Sequence, residues 1–330
     1  MPEFSDAVLT DAMRHAAAEA RKWMGATSPN PPVGAVALAA DGSILAVAAH
    51  QRAGGSHAEA ALLTLCREQN LLPKIAMVCV TLEPCNHHGR TPPCTEALIN
   101  ANIKHVTNGA RDPNPKVIGG GLARLQQAGI EVICGVNEAE CQQLMHAFLY
   151  QAQTGKPWIT IKRAFDRKGS MIPAAGQKTF TSEKSLVLAH CLRKKADAII
   201  TGSGTILADH PLFNVRHVPD YPAKRRWLAI LDRRGRVPEA YLAEARQRGL
   251  DPFVYQDIKQ AIADLAARGA QDILVEAGPA LSAAMLDSGL WTMSVTIRQG
   301  DTDLVDVDFN PREQLPFASK DFRWEAILPA

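Results

Sequence analysis

The sequence predicts two consecutive α/β domains, and three observations carry that expectation. The chain has 330 residues, enough for two domains of ordinary size. Short apolar runs of strand length alternate with segments of helical periodicity along most of it. The alternation breaks at Gln151-Ala152-Gln153-Thr154-Gly155-Lys156-Pro157, a polar stretch ending near Gly and Pro, and then restarts. The expected domains are therefore 1–150 and 151–330, and the two halves share no motif.

Residues 6–24 place Ala7, Ala12, Met13, Ala16, Ala20 and Trp23 at helical spacing, and Ser28-Pro29-Asn30-Pro31-Pro32 stops that helix. Val33–Ala40 and Ile44–Ala49 are apolar runs joined by Asp41-Gly42, a hairpin signal. A helix is expected over 57–67, a strand over Met77–Thr81, and a helix begun by Thr91-Pro92-Pro93-Cys94 and running to about Asn100, with Thr91 as its N-cap and prolines in its first turn. Val106–Gly109, a helix from Gly120 to Ala128, and Ile130–Ile133 complete the first half. In the second half the expected strands are Trp158–Lys162, Ala198–Thr201, Trp227–Leu231, Ile273–Val275 and 292–297. Helices are expected at 182–194, 257–268 and 279–288, with Gly202-Ser203-Gly204 read as a plain loop.

Composition narrows the function. Apolar residues make up 46% and charged residues 21%, as in an ordinary globular protein, and the net charge is only +2. That charge is too small for a nucleic-acid footprint, and 5% aromatics is too few for a base-stacking surface. No apolar run approaches the roughly 18 residues of a membrane span. Glu3, Asp6 and Asp11 stand where a secretory signal would carry basic residues. Cys66, Cys79, Cys134, Cys141 and Cys191 lie in apolar segments and read as buried, reduced thiols, so the cytoplasm is the expected compartment.

The chemistry is carried by three short pieces in order: His57-Ala58-Glu59, Pro84-Cys85 and Cys94. Zinc takes nitrogen and thiolate ligands in a tetrahedron. One His and two Cys fill three corners and leave the fourth for water, whose pKa the metal lowers. Glu59 lies two residues from His57; as a neighbour rather than a ligand it is the proton carrier. This is the H-x-E…P-C…C pattern of zinc nucleobase deaminases, except that eight residues, Asn86 to Pro93, separate the cysteines instead of two. Taken singly, the tripeptide is weak evidence and the cysteines could be two buried thiols; their order, with Pro before each Cys, makes the case. His87 or His88 is the competing nitrogen ligand, but Glu59 would then lose its role. The insert also brings Arg90, a partner suited to phosphate.

These motifs resemble the bifunctional riboflavin-biosynthesis family in which diaminohydroxyphosphoribosylaminopyrimidine deaminase is joined to 5-amino-6-(5-phosphoribosylamino)uracil reductase. The resemblance covers nearly all of 6–150. It rests on Pro29-Asn30-Pro31-Pro32-Val33-Gly34, His50, Gly54 through Glu59, Thr81-Leu82-Glu83-Pro84-Cys85, His88-Gly89-Arg90-Thr91-Pro92-Pro93-Cys94 and Asp112-Pro113-Asn114-Pro115. The wide cysteine gap is a feature of that family. In the second half Arg193, Lys195 through Ile199, Gly202, Thr205, Asp209, Pro211, Arg216, Leu231-Asp232 and Val275 through Pro279 fit its reductase.

The resemblance implies a cytidine-deaminase-like three-layer α/β/α first domain and a dihydrofolate-reductase-like α/β second domain using NADPH. It also implies that Arg193, Arg216 and Glu276 contact the phosphoribosyl substrate, and that Thr205, Asp209 and the turn from Gly278 contact NADPH. Two arginines suit a phosphate, and a Gly turn opening a helix suits a pyrophosphate. Asn30, whose amide offers donor and acceptor together, is a candidate for the base edge, with a plain turn residue between prolines as the alternative. His50, His88 and Arg90 are candidates for the substrate's other polar groups and phosphate. Arg233 is a candidate for the cofactor's 2′-phosphate, with a solvated basic loop alongside Arg234 and Arg236 as the simpler reading.

Some family positions are replaced. Ser-Leu-Asp-Gly reads Phe165-Asp166-Arg167-Lys168-Gly169, Ser-x-Trp-Ile-Thr reads Gln177-Lys178-Thr179-Phe180-Thr181, and the second Asp before Pro211 is His210. Three readings follow: a bifunctional deaminase–reductase acting on a phosphoribosylaminopyrimidine, a deaminase with an inactive or repurposed second domain, and a nucleic-acid deaminase. Charge and aromatic content disfavour the third. The expected partners are the small-molecule substrate and further copies of the chain as a homo-oligomer, with neither nucleic acid nor membrane.

Overall fold

The computed structural model describes residues 4–87, 92–113, 120–174, 176–177 and 179–329. His88, Arg90, Thr91 and Asn114-Pro115, singled out above, lie outside these residues. The chain divides into two compact units, Met1–Gly155 with Leu315–Ala330, and Lys156–Gln314.

The first unit begins with α1 (Asp6–Arg21), whose N-cap Ser5 accepts a hydrogen bond from Val8 N. Then come β1 (Gly34–Leu38), β2 (Ile44–Ala49), α2 (Ala58–Glu68), β3 (Met77–Leu82), α3 (Cys94–Asn100), β4 (His105–Ala110), α4 (Gly120–Gln127), β5 (Glu131–Cys134), α5 (Glu138–Leu144) and α6 (His146–Thr154). The sheet order is β2-β1-β3-β4-β5. β1 runs antiparallel to both neighbours, while β3, β4 and β5 are parallel. β1 and β3 are buried along their whole length, because apolar side chains cover both faces. Met13, Ala16, Val36, Leu38, Met77 and Leu144 form the core on one face, and Leu62, Leu63, Val78, Val80, Leu98 and Leu125 the core on the other. These two cores make the three α/β/α layers.

The second unit contains β6 (Trp158–Phe165), α7 (Glu183–Lys195), β7 (Ala198–Gly202), α8 (Ser203–Asp209), β8 (Arg226–Leu231), α9 (Glu239–Gln247) and β9 (Leu250–Tyr255). It continues through α10 (Ile258–Ala267), β10 (Asp272–Val275), α11 (Pro279–Ser288), β11 (Met293–Arg298) and β12 (Leu304–Phe309). Its sheet order is β12-β11-β6-β10-β7-β8-β9, parallel except for the β11–β12 hairpin. Ile161, Ile200, Ile273 and Met285 lie in the core on one face, and Ile199, Leu228, Ile230 and Tyr241 in the core on the other.

Four expectations need correction. The break falls inside the expected stretch but after Gly155 rather than at 150: α6 runs to Thr154 because Leu149 and Tyr150 bury its apolar side, and Gly155, at φ 72°, ends it. Gly202 through Thr205 is not a plain loop: Gly202 is the N-cap of α8, and Ser203 and Ile206 are buried. The N-cap of α3 is Pro93, and its prolines precede the first turn. The last residues do not belong with the second unit. Phe317, Ala326 and Ile327 are buried, α12 (Trp324–Ile327) packs on α5, and Gln143 donates to Asp321 O and accepts from Arg323 N, both at 2.7 Å.

Candidate active sites

In the first unit, β3 ends at Leu82 and delivers Glu83-Pro84-Cys85 at its carboxyl end. His57 sits at the N-cap of α2, and Cys94 is the first residue of α3. The three donor atoms lie within 4.8 Å of one another. His57 Nδ1 is 3.5 Å from Cys85 Sγ and 3.3 Å from Cys94 Sγ. A tetrahedron with zinc–ligand bonds of roughly 2.0–2.3 Å places nitrogen and sulfur about 3.5 Å apart, so this donor set fits zinc. His87, the competing ligand, is exposed and stands outside the group.

The turn is braced from α3. Cys94 N donates to Cys85 Sγ at 3.4 Å, Thr95 N to Cys85 O at 3.2 Å, and Thr95 Oγ1 to Asn86 Oδ1 at 2.8 Å. Hydrogen bonds from Cys94 and His57 hold the Cys85 thiol well below its ordinary value, toward the anion. Its hydrogen bond to that anion, with burial and nearby Glu59, pushes the Cys94 thiol up. Glu59 is 3% exposed and in contact with Cys94. Burial, then the charge of Cys85, raises its pKa above the ordinary carboxylate value, as a group exchanging protons requires.

His50 and Asn30 meet beside the His57–Cys85–Cys94 group. His50 is buried, and its Nδ1 lies 2.9 Å from Ser56 O, an acceptor, so Nδ1 carries the proton. Its Nε2 therefore accepts from Asn30 Nδ2 at 3.2 Å, and the Asn30 carbonyl oxygen is turned away from the ring. Burial lowers the His50 pKa, so the imidazole is neutral, and the ring stands edge-on to His57 at 5.5 Å.

Glu83 has a role that its place in the motif does not disclose. Its Oε1 accepts from Gly121 N at 3.2 Å and Leu122 N at 3.4 Å, drawing the start of α4 onto the Cys85 turn. The approach is so close that a Cβ on Gly121 would stand 1.9 Å from Pro84 O.

The second unit gathers the other set of residues. Arg193 on α7 grips Glu276 with two bonds, Nε–Oε2 at 2.5 Å and Nη2–Oε1 at 3.1 Å. Lys162 on β6 adds a third at 3.0 Å. Burial alone would raise the Glu276 pKa; Arg193 and Lys162 overcome it and hold the carboxyl at about 2. Arg216 is exposed and donates from Nη1 to Asn214 Oδ1 at 3.0 Å. Thr205 Oγ1 accepts from Gly278 N at 3.0 Å, which brings those two expected cofactor residues together at the starts of α8 and α11.

Asp209 is the exposed last residue of α8. Arg233 donates to Gln256 O at 3.2 Å, whereas Arg236 reaches Ser203 Oγ at 3.2 Å. His210, in the left-handed region at φ 40°, pairs with Glu244 at 2.9 Å. Sequence reasoning missed Lys162, His190 and Asn214. The available signal was Lys162, a cation within an apolar strand, which needs a buried partner.

The two units define a zinc-dependent deaminase followed by a reductase of dihydrofolate-reductase-like fold. Residues 8–110 match the family model of the cytidine and deoxycytidylate deaminase zinc-binding region, and residues 157–292 match that of the RibD C-terminal domain. The riboflavin biosynthesis protein RibD of Actinobacillus pleuropneumoniae is 34% identical, with 88% of this chain and 84% of that protein covered. The RibD of Escherichia coli K12 is 36% identical, with 80% of each covered. Among solved structures, Acinetobacter baumannii RibD superposes with a TM-score of 0.75 at 32% identity, covering 89% of this chain and 87% of that one. The Thermotoga maritima diaminohydroxyphosphoribosylaminopyrimidine deaminase/5-amino-6-(5-phosphoribosylamino)uracil reductase gives 0.77 at 30% identity, with the same coverage. The chain belongs to the RibD family, the bifunctional deaminase–reductases of riboflavin biosynthesis, for which zinc and NADPH are the typical cofactors.

Proposed function

We propose that this chain hydrolytically deaminates 2,5-diamino-6-(5-phosphoribosylamino)pyrimidin-4(3H)-one and then reduces the ribosyl side chain of the product to ribityl. The observation that carries the reading is the His57–Cys85–Cys94 triangle with the buried Glu59 carboxyl against it. His57, Cys85 and Cys94 are the proposed metal ligands. Bound zinc supplies the Lewis acidity that makes water a nucleophile near neutral pH. Glu59 accepts the proton that nucleophile loses and delivers protons to the ring nitrogen and the departing ammonia. Asn30 presents its carbonyl oxygen to an N–H of the base, and His50 holds that amide in place. His88 and Arg90 are assigned to the ribosyl and phosphate groups.

In the second unit Arg193, Arg216 and Glu276 position the phosphoribosyl chain, with Lys162 adding a second cation to Glu276 and so leaving the cluster net positive, as suits a phosphate. Thr205, Asp209, the Gly278 turn and Arg233 are assigned to NADPH, which supplies a hydride for C1 of the open aldehyde form. Positioning two reactants provides much of the rate in such a step. Within this reading the protein is a cytoplasmic homo-oligomer. The five cysteines outside the metal triangle form no disulfide, and all of them except the exposed Cys134 are buried, which supports a reducing compartment; sedimentation measures the assembly. Among the described residues no helix is long and apolar enough to cross a membrane.

The test is Glu59→Gln, a nearly isosteric change that removes the titrating oxygen. It is expected to lower ammonia release about 10²–10⁴-fold while zinc content stays at wild type. Ammonia release within about threefold of wild type overturns the assignment of Glu59.

A further inference from the structure

We infer that His190 is a positioning residue of the reductase site: its imidazole hooks the main chain of Arg216 and so sets that exposed guanidinium against the buried Arg193–Glu276–Lys162 cluster. The inference rests on the reading above that Arg216 grips the phosphoribosyl group.

His190 lies on α7, one turn before Arg193, and is 1% exposed. Its Nδ1 is 3.0 Å from Arg216 N, and its Nε2 is 3.3 Å from Arg193 Nη1. Both facing groups are N–H donors, and a guanidinium has no acceptor. Burial, with the positive charges of Arg193 and Arg216, holds the His190 pKa down at about 3, so the ring is neutral. A neutral imidazole has one acceptor nitrogen. Only one of the two contacts is therefore a hydrogen bond at a given moment.

The geometry selects which. The contact to Arg216 N is the shorter, and that N–H belongs to the main chain. Arg193 Nη1 has another acceptor, Asn214 O at 3.2 Å, and Arg193 is already fastened to Glu276. The proton thus sits on Nε2, and Nδ1 accepts from Arg216 N. The His217 ring packs on His190 with centroids 4.6 Å apart, and His217 is itself held by Glu183 at 2.8 Å, so the imidazole has little room to turn.

The consequence is a division of labour between the two arginines. Arg193 uses both Nε and Nη2 on Glu276 and is mostly buried; it orients that carboxylate. Arg216 is anchored through its backbone, which leaves its side chain exposed. Without the hook the segment 214–217 keeps only the flanking ties of Asn214 O to Arg193 and His217 to Glu183, and the main chain that carries the Arg216 guanidinium is no longer held at Arg216 itself.

The experiment measures NADPH oxidation with 5-amino-6-(5-phosphoribosylamino)uracil for His190→Ala, His190→Asn, His190→Gln and Arg216→Ala. An Asn side chain places its amide near the Nδ1 position, a Gln near Nε2. His190→Ala is expected to raise KM for the pyrimidine about tenfold, the worth of one lost hydrogen bond, with kcat and the KM for NADPH within about twofold. His190→Asn is expected to restore KM and His190→Gln to leave it raised. Rescue by Gln rather than Asn overturns the inference, as does a joint loss of kcat and NADPH affinity in all three His190 variants. An unchanged KM in His190→Ala beside a raised KM in Arg216→Ala removes the role of His190 alone. An unchanged KM in Arg216→Ala removes the underlying reading of Arg216, and this inference with it. Should His190→Ala not fold, the Asn–Gln comparison decides by itself.

Discussion

Gly121→Ala is a one-carbon change that should disable the metal centre from behind. On general grounds Ala for Gly inside a helix gains about 1 kcal/mol. Here the added Cβ would sit 1.9 Å from Pro84 O, 3.1 Å from Pro84 C and 3.3 Å from Glu83 Cγ. Real Cβ contacts essentially never fall under 3.0 Å, so α4 and the Pro84 peptide must part by about 1 Å. Overpacking of this kind costs about 1–3 kcal/mol, which exceeds the helix gain. The obstacle is the backbone of the residue immediately before Cys85, and metal sites tolerate ligand displacements of only about 0.2 Å. The same displacement lengthens the bonds from Gly121 N and Leu122 N to Glu83.

Zinc affinity is therefore expected to fall about 10–100-fold, the usual effect of disturbing a ligand's support. Deaminase activity at limiting zinc should fall in parallel, with NADPH oxidation on the deaminated substrate unchanged. Competition with a chromogenic chelator measures the affinity. Gly120→Ala is the control, because its added Cβ meets no described atom within 4 Å. Wild-type zinc affinity in Gly121→Ala would refute the claim that α4 braces the Cys85 turn.

Two further predictions concern the second unit. The Glu276 carboxyl titrates at about 2 in the folded protein against an ordinary 4.5, so the fold favours its anion. That stabilisation, about 3 kcal/mol in full, is complete above about pH 4.5 and lost as pH falls toward 2; urea unfolding of wild type and Glu276→Gln across that range should show their difference shrinking with acid, and a constant difference contradicts it. Lys195 is 1% exposed on its side chain and ion-paired to Asp272 at 2.5 Å. Lys195→Ala leaves the Asp272 carboxylate without that cation and should cost about 3–5 kcal/mol in the same assay, a loss under about 1 kcal/mol being the contrary result.

The grouping of His57, Cys85 and Cys94 with Glu59 beside them was legible in the sequence because zinc chemistry limits donor types and their local spacing. The strands of the first unit were legible because β1 and β3 are buried on both faces and read as unbroken apolar runs. Other features depended on distant partners. The bond from Glu83 to Gly121 joins residues 38 positions apart, and His190 faces Arg216 across 26. β12 was missed because Asp306 and Asp308, both exposed, dilute its apolar pattern; Asp306 pairs across the hairpin with Arg298 at 3.3 Å. The return of 315–330 to the first unit rests on the burial of Phe317, Ala326 and Ile327, the packing of α12 on α5 and two bonds to the Gln143 amide, and no periodicity announces it.

The most direct test of the bifunctional account follows one sample through both reactions. The zinc-loaded protein is incubated with the diaminopyrimidinone ribosyl phosphate, with and without NADPH, while ammonia release and NADPH loss are recorded separately. The account expects ammonia in both arms and, where NADPH is present, its consumption in step with the deaminated product, despite the replacements at Gln177, Thr179 and His210. Ammonia without NADPH consumption would leave a deaminase carrying an inactive or repurposed second unit, and no ammonia in either arm would contradict the central claim.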